Sequence, residues 1–516
     1  MNRRAFLGSV LAGAATAGAQ SRRPPNIVFI FSDDHAYQAI SAYSGGKLNQ
    51  TPNIDRIARE GMLFNNCVVP NSICAPSRAV ILTGKYSHVN GIIDNRQVFN
   101  GAQQTFPKLL QNAGYQTALF GKWHLQSNPT GFDAWEVLPG QGSYYNPDFI
   151  TPSGRKRREG YVSDVTTDLA LDWLRGRDAS KPFLLMCQHK APHRNWMPAP
   201  NHLTDYEDTV FPEPPNLLDD YSGRAKPASQ QEMEVGRHMT MVNDLKVYPL
   251  PDAKPGEIKG GFMNEYNRMN EKERKMWDAV YKRRVEEYSR LKPQGADLVR
   301  WKYQQYMKDY LRCVASVDDN IGRVLRFLDA EGLADNTIVM YSSDQGFYLG
   351  EHGWFDKRWI YEESIRTPLV ARWPGVTKPG SRSDAMVSNL DFAETFLEAA
   401  GVEVPKDMHG RSMTAVLRGQ TPAGWRQSFY YHYYEQPIHG VARHYGVRTN
   451  RYTLVHFYDS KEWELFDREK DPHQMRSVYG QADYAKVQGE LVRELARLRK
   501  ELKVPEIDPD RQGTGK

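Results

Sequence analysis

An α/β fold is what this chain predicts: a central mixed, mainly parallel sheet flanked by helices, plus a smaller C-terminal α+β subdomain with a short antiparallel sheet. Three observations point there. Apolar runs of strand length recur without polar alternation, the first being Asn26-Ile27-Val28-Phe29-Ile30-Phe31, and such runs belong to strands covered on both faces. Helical stretches lie between them, and that alternation over a long chain argues for a sheet between helix layers. From about Trp425 the runs become short and aromatic and end in a charged amphipathic helix. A chain of 516 residues suffices for one large core and a smaller one.

The N-terminus carries Asn2-Arg3-Arg4-Ala5-Phe6-Leu7, an apolar Ala/Gly-rich run and Ala17-Gly18-Ala19. A twin-arginine pattern followed by a small-x-small site reads as an export signal over residues 1–19. The run is too short and too weakly apolar for a stable membrane span. The expectation is a bacterial protein delivered by the export machinery to the periplasm or beyond. After a short linker, the first buried strand runs out in Ser32-Asp33-Asp34-His35. Residues 51–61 read as a helix with Thr51 as N-cap, Pro52 at the first helical position and Gly61 as the stop. Further buried strands are expected at 116–120, 183–188 and 337–342, with helices at 105–113, 165–175, 310–332 and 390–400. Residues from about 200 to 300 interrupt this alternation. They are rich in charge, Met, Tyr and Pro, with a Lys/Arg/Glu-dense helix near 270–291, and read as a mostly solvated insertion near the substrate side. Strands at 428–434, 446–448, 452–458 and 463–466 and a helix at about 484–502 make up the C-terminal subdomain, 425–505. Residues 506–516 form a polar tail.

The formal charge of +5 falls by two once Arg3 and Arg4 leave with the signal. That is too mild for a nucleic-acid partner, and the charges of the 270–291 helix are mixed. It suits an anionic substrate. The 28 Tyr and 11 Trp serve stacking on sugar rings or core packing equally well. Cys67, Cys74, Cys187 and Cys313 are too few and too scattered for a disulfide framework.

Chemistry gathers at the strand ends. Asp33 and Asp34 follow a buried strand, where ligand sites of open α/β sheets collect, and adjacent carboxylates repel unless a cation neutralises them. Val339-Met340-Tyr341-Ser342-Ser343 ends likewise in Asp344-Gln345-Gly346. Three carboxylates and an amide oxygen make a hard oxygen site suited to calcium, with magnesium as the alternative. Taken singly, each acidic strand end reads as a turn or helix cap. Cys74-Ala75-Pro76-Ser77-Arg78, followed by Leu82-Thr83-Gly84, has no second cysteine at C-x-x-C spacing and no histidine at zinc-finger spacing. Alone, Cys74 reads as a loop cysteine beside a helix cap.

Together these segments resemble the type I sulfatases. The resemblance runs over nearly the whole chain after the signal, through NIVFIFSDDH, TPNIDRIAREGMLF, CAPSRAVILTGKY, GYQTALFGKWHL, KAPH, residues 317–353 and Lys357. It implies the alkaline-phosphatase-like fold, with residues 24–424 as the catalytic domain. It implies that a formylglycine-generating maturase oxidises Cys74 to formylglycine (3-oxoalanine), whose hydrate is the nucleophile. It implies a calcium ion held by Asp33, Asp34, Asp344 and Gln345, with position 74 beside it. Gln345 stands where many members have Asn; both offer an amide oxygen. Arg78 is implied to neutralise the metal-bound carboxylates and hold the hydrate, Lys122 and His124 to bind the sulfate, and His193 and Lys357 to stand near the leaving oxygen. Cations around the sulfuryl oxygens and a proton donor at the bridge suit the charge that develops as the S–O bond breaks. An aldehyde hydrate can expel sulfate by elimination, a route that an ordinary Ser or Cys ester lacks.

The stretches 124–133 and 138–142, with His432-Tyr433-Tyr434-Glu435 and residues 443–449, look most like bacterial sulfatases acting on N-acetylglucosamine-6-O-sulfate of heparan-type glycans. An exo-acting enzyme in glycosaminoglycan breakdown is the expectation. Asp356, Arg358 and His439 are expected to line the sugar pocket; surface salt bridges and a loop histidine are the alternative. Sulfatases for other sugars, a phosphonate or phosphate ester hydrolase of the same superfamily, and a glycan-binding protein on a catalytically dead scaffold remain as rivals.

Overall fold

β1, Asn26–Ser32, is buried along its whole length and is the axis of the molecule. The computed structural model describes residues 23–249, 261–436 and 438–508; the expected export signal and most of the polar tail lie outside them. Among the described residues, ten strands form one large sheet: β1, β2 (Met62–Phe64), β3 (Gln116–Lys122), β4 (Ala134–Leu138), β5 (Asp148–Thr151), β6 (Gly154–Arg157), β7 (Phe183–His189), β8 (Thr337–Ser343), β9 (Leu369–Arg372) and β10 (Ser381–Ser383). Their order is β10-β2-β9-β8-β1-β7-β3-β4-β5-β6. The five central strands β8, β1, β7, β3 and β4 run parallel; β9 is antiparallel to both its neighbours, and β5 and β6 add an antiparallel hairpin. The sheet is mixed and mainly parallel, as expected.

Alternation along β1 divides the interior. Val28 and Ile30 face a core shared with α1 (Pro52–Glu60), α3 (Val162–Gly176) and the long α5 (Gly295–Ala330). Ile27, Phe29 and Phe31 face a second core with α2 (Cys74–Thr83) and α6 (Asp391–Ala399). Such helix–sheet–helix layering buries both faces of a parallel sheet. A third core joins the four-stranded antiparallel sheet β11 (Ser428–Tyr433), β12 (His444–Thr449), β13 (Tyr452–Phe457) and β14 (Glu462–Asp467) to α7 (Ala485–Glu501) through Leu491, Leu495 and Leu498. Trp354, Trp359 and Tyr361 of the larger part belong to that same core.

Three expectations are corrected, the first in part. The expectation of a mostly solvated 200–300 stretch suits its Glu271–Leu291 helix, which buries Trp277, Tyr281 and Arg284 alone, but not the whole stretch, since Val235, Met239, Leu245 and Val247 are buried too. Its two buried cations are held by a carboxylate of the next helix, Asp309 accepting from Lys246 Nζ at 3.0 Å, from Arg284 at 2.7 and 2.8 Å and also from Tyr281 OH at 2.8 Å. A buried carboxylate with three such partners is compensated, so Lys246 and Arg284 are buried while most other charges of the stretch stay exposed. The helix expected at 310–332 begins at Gly295, because Trp301, Tyr303, Tyr306 and Met307 continue its buried stripe. The 270–291 helix matches α4, Glu271–Leu291, with an Asn270/Glu273 capping box. Thr51 precedes α1, but its hydroxyl pairs with Ser41 and Asp55 rather than capping.

Gly121 in β3 has a local consequence. Its φ is +104°, and a Cβ there would lie 1.9 Å from the Gln188 carbonyl oxygen. Gly121→Ala is expected to cost at least about 2 kcal/mol through left-handed strain and overpacking, measured as a shift in denaturant midpoint.

Candidate functional site

Parallel register builds the site. Ser32 of β1 pairs with Ser343 of β8 and with His189 of β7, and Gly121 of β3 pairs with Gln188 of β7. The residues that follow therefore emerge side by side at the carboxyl edge: Asp33 and Asp34, Asp344 and Gln345, Lys190, Lys122 and His124. This is where parallel sheets place ligands. The N-terminus of α2 points into the same edge, putting Cys74 first in a helix whose ten residues are all buried.

Cys74 Sγ lies 3.3 Å from Asp33 Oδ1 and 3.9 Å from Lys122 Nζ. The backbone N–H of Ala75 donates to Asn95 Oδ1 at 3.0 Å. One turn on, Arg78 donates to Asp344 Oδ2 through Nε and Nη2 at 3.2 and 3.1 Å, to the Lys122 carbonyl at 2.6 Å and to Gln188 Oε1 at 3.1 Å. Lys122 Nζ pairs with Asp33 and with Gln141 Oε1. Lys357 Nζ donates to both oxygens of Asp34 at 2.6 and 2.7 Å, and His193 Nε2 stands 3.7 Å from Asp34 Oδ2. Burial pushes the Cys74 thiol up to about 12, so an unmodified Cys74 is protonated at neutral pH and a poor nucleophile. Burial, then the charge of Lys122, holds both His124 and His193 well below the ordinary imidazole range.

A metal ion fits the donor set. Asp33, Asp34 and Asp344 each offer an oxygen within 4.8 Å of the others. Gln345 Oε1 is buried among them with no hydrogen-bond partner among the described residues, while its Nε2 donates to Asp34. Burial pushes the Asp34 carboxyl up to about 7 even with Lys357 beside it, so holding all the carboxylates ionised calls for further positive charge. A hard divalent cation supplies that through oxygen ligands.

Asp356, Arg358 and His439 form one group beside Lys357. Asp356 lies 3.7 Å from Lys357 Nζ, 3.8 Å from Arg358 Nε and 3.2 Å from His439 Nε2. Burial pushes His439 down to about 4, so its ring meets the Asp356 carboxylate as a neutral group. Arg358 Nη1 donates to Glu435 Oε2 at 2.6 Å, and its Nε is buried without a hydrogen-bond partner among the described residues. These are not surface salt bridges, since Asp356 and Arg358 are each 5% exposed. Asp34, His124, Asp356, Arg358 and His439 all have φ between 54° and 87°. Left-handed backbone at non-glycine residues is unfavourable and clusters at ligand sites. Gln141, Gln188 and Glu435 also reach the site, though no motif of their own marks them in the sequence. Gln141 and Glu435 lie in stretches that carried the sugar resemblance, whereas nothing local marks Gln188, which reaches Arg78 only through sheet register.

Relatives of known activity share both sequence and fold with this chain. Residues 25–402 match the family described as Sulfatase, and residues 350–501 match N-sulphoglucosamine sulphohydrolase, C-terminal. Over 98% of its length, and 91% of the relative's, the chain is 51% identical to an N-acetylglucosamine-6-O-sulfatase of Bacteroides thetaiotaomicron. A solved structure in complex with its substrate D-glucosamine-2-N,6-O-disulfate matches with a TM-score of 0.91 at 51% identity, covering 94% of this chain and 100% of that one. A phosphonate monoester hydrolase from Silicibacter pomeroyi shares the fold, with a TM-score of 0.69 at 21% identity over 95% of this chain and 97% of that one. The chain belongs to the sulfatase family, has the alkaline-phosphatase-like fold and is a sulfuric ester hydrolase.

Proposed function

We propose that the chain removes the 6-O-sulfate from N-acetylglucosamine at the end of a heparan-type glycan, using formylglycine at position 74 and a calcium ion held by Asp33, Asp34, Asp344 and Gln345. The observation that carries the sugar is the 51% identity, over 98% of the chain, to an N-acetylglucosamine-6-O-sulfatase. The buried group of Asp356, Arg358 and His439 beside Lys357 supports it, since sugar hydroxyls suit such paired donors and acceptors.

Formylglycine supplies a hydrate hydroxyl as nucleophile, and calcium a charge against the sulfuryl oxygens. The chain's own residues do the rest. Arg78 holds Asp344 in place and screens the carboxylates. Lys122 and His124 receive the sulfuryl oxygens, and the unpartnered, buried Nδ1 of His124 suits that task. His193 donates a proton to the departing sugar oxygen, with its Nδ1 oriented by the Arg194 carbonyl at 2.6 Å; burial and then the neighbouring cations hold the free ring neutral, and the negative charge of an arriving sulfate ester favours its protonated form. Lys357 stands on the same side through Asp34. Residues 24–424 are read as the catalytic part and 425–505 as the subdomain that closes the sugar side through Glu435 and His439. The N-terminal pattern supports export to the periplasm or beyond, and among the described residues no helix is long and apolar enough to cross a membrane.

The test is sulfate release from N-acetylglucosamine-6-O-sulfate by protein whose Cys74 conversion is checked by mass spectrometry, with Cys74→Ala as control. No release from converted protein would sink the proposed sugar while leaving the sulfatase class in place. Arg358→Ala is expected to raise KM for the sugar sulfate about tenfold or more, the worth of a charge-assisted hydrogen bond, while inhibition by inorganic sulfate stays as it was. Equal weakening of both would remove Arg358 from the sugar pocket.

A further inference from the structure

Lys190 is a buried cation that the mechanism above does not use. It follows directly on β7 and is 2% exposed. Its Nζ lies 4.5 Å from the centre of the Tyr144 ring. Among the described residues it has no carboxylate within 4.0 Å and no hydrogen-bond acceptor, unlike Lys122, Lys246 and Lys357, which are all paired. A largely buried ammonium held by an aromatic face alone is undercompensated, which leaves it free to take an anion.

Its surroundings say which. The Lys190 carbonyl accepts from the His193 N–H at 3.1 Å. Tyr144 OH donates to the His193 carbonyl, and Gln141, three residues before Tyr144, pairs with Lys122. The 138–145 loop is thus tied to Lys122 at one point and to His193 at another, with Lys190 beneath it. The charge of Lys190 is felt at Lys122, His124 and His193, and it in turn feels Asp34 and Cys74. The nearest competing explanation is Glu265, which also acts on Lys190. That carboxylate lies beyond 4.0 Å and is already engaged by the Tyr144 and Tyr145 N–H groups at 2.9 and 3.4 Å.

We propose that Lys190 is a further cation of the sulfate pocket, contacting the sulfuryl oxygens of the bound substrate from the Tyr144 side. This rests on the reading that Lys122, His124 and His193 receive the sulfate. Such a contact adds affinity for the anion itself, whatever sugar carries it.

The experiment is calorimetric titration of inorganic sulfate into the full-length converted protein, its Lys190→Met and Lys190→Arg variants, and a Lys190→Met/Glu265→Gln double variant, with melting curves for each. Lys190→Met is expected to weaken sulfate binding about tenfold or more, and Lys190→Arg to stay within about threefold of the parent. The double variant should regain melting temperature without regaining affinity. Sulfate binding to Lys190→Met at the parent's strength, or its restoration by Glu265→Gln, would overturn the proposal and leave Lys190 as the partner of Glu265. Should the methionine variant not fold, Lys190→Gln carries the same expectation. Turnover of N-acetylglucosamine-6-O-sulfate is measured alongside. Its absence in the parent sinks the sugar reading and leaves the sulfate titration to decide Lys190.

Discussion

Cys74→Ala is expected to lower sulfate release by about four orders of magnitude or more, the scale on which removal of a nucleophile is felt, while leaving the fold in place. Apart from the backbone of α2, Cys74 contributes only its sulfur, in contact with Asp33 Oδ1 and Lys122 Nζ. Truncating this one small buried side chain costs about 1–2 kcal/mol, too little to unfold a core of this size. Unconverted protein should be as inactive as the variant, because burial keeps the thiol protonated at neutral pH. Specific activity plotted against the formylglycine fraction measured by mass spectrometry should therefore be a straight line through zero. A positive intercept, or activity in Cys74→Ala, would remove position 74 as the nucleophile.

Asp344→Ala should be the most destabilising single change at the site. Its carboxylate accepts two bonds from the 2%-exposed Arg78 and one from the backbone N–H of Asp34. Truncation leaves a buried guanidinium short of its main counter-charge, at a cost of about 3–5 kcal/mol. Asp344→Asn keeps the shape and should cost less, yet lose activity as fully, since it removes a charge from the proposed calcium site. The ligand role is separable by chelation. Stripping divalent cations from the parent should lower its melting temperature and added calcium should restore it, by an amount worth about 2.7 kcal/mol at a hundredfold excess over Kd. The melting temperature of Asp344→Asn should be nearly indifferent to both. An unchanged chelator response in that variant would place the metal elsewhere.

Strand positions and the acids that end them were legible in the chain because both signals are local. An unbroken apolar run such as residues 26–31 identifies a strand covered on both faces, and Asp33 or Asp344 just past one must lie at a strand end. The roles proposed for Cys74, Arg78, Lys122, His124, His193 and Lys357 came only through a resemblance, since one lysine after a glycine has no meaning by itself. What no local pattern carried was the distance between these segments. Asp33 and Asp344 are neighbours because β1 and β8 pair Ser32 with Ser343, across more than three hundred residues. The same pairing across β7 and β3 brings Gln188 to Arg78. Burial of Lys246 and Arg284 within the charge-rich 200–300 stretch was likewise illegible, because charge reads as exposure until its partners are known, and Asp309, on the next helix, binds both. Periodicity and side-chain chemistry belong to single segments and survive in the chain; register, left-handed backbone at the pocket and the pairing of buried charges exist only once distant segments pack together, and those decided the site.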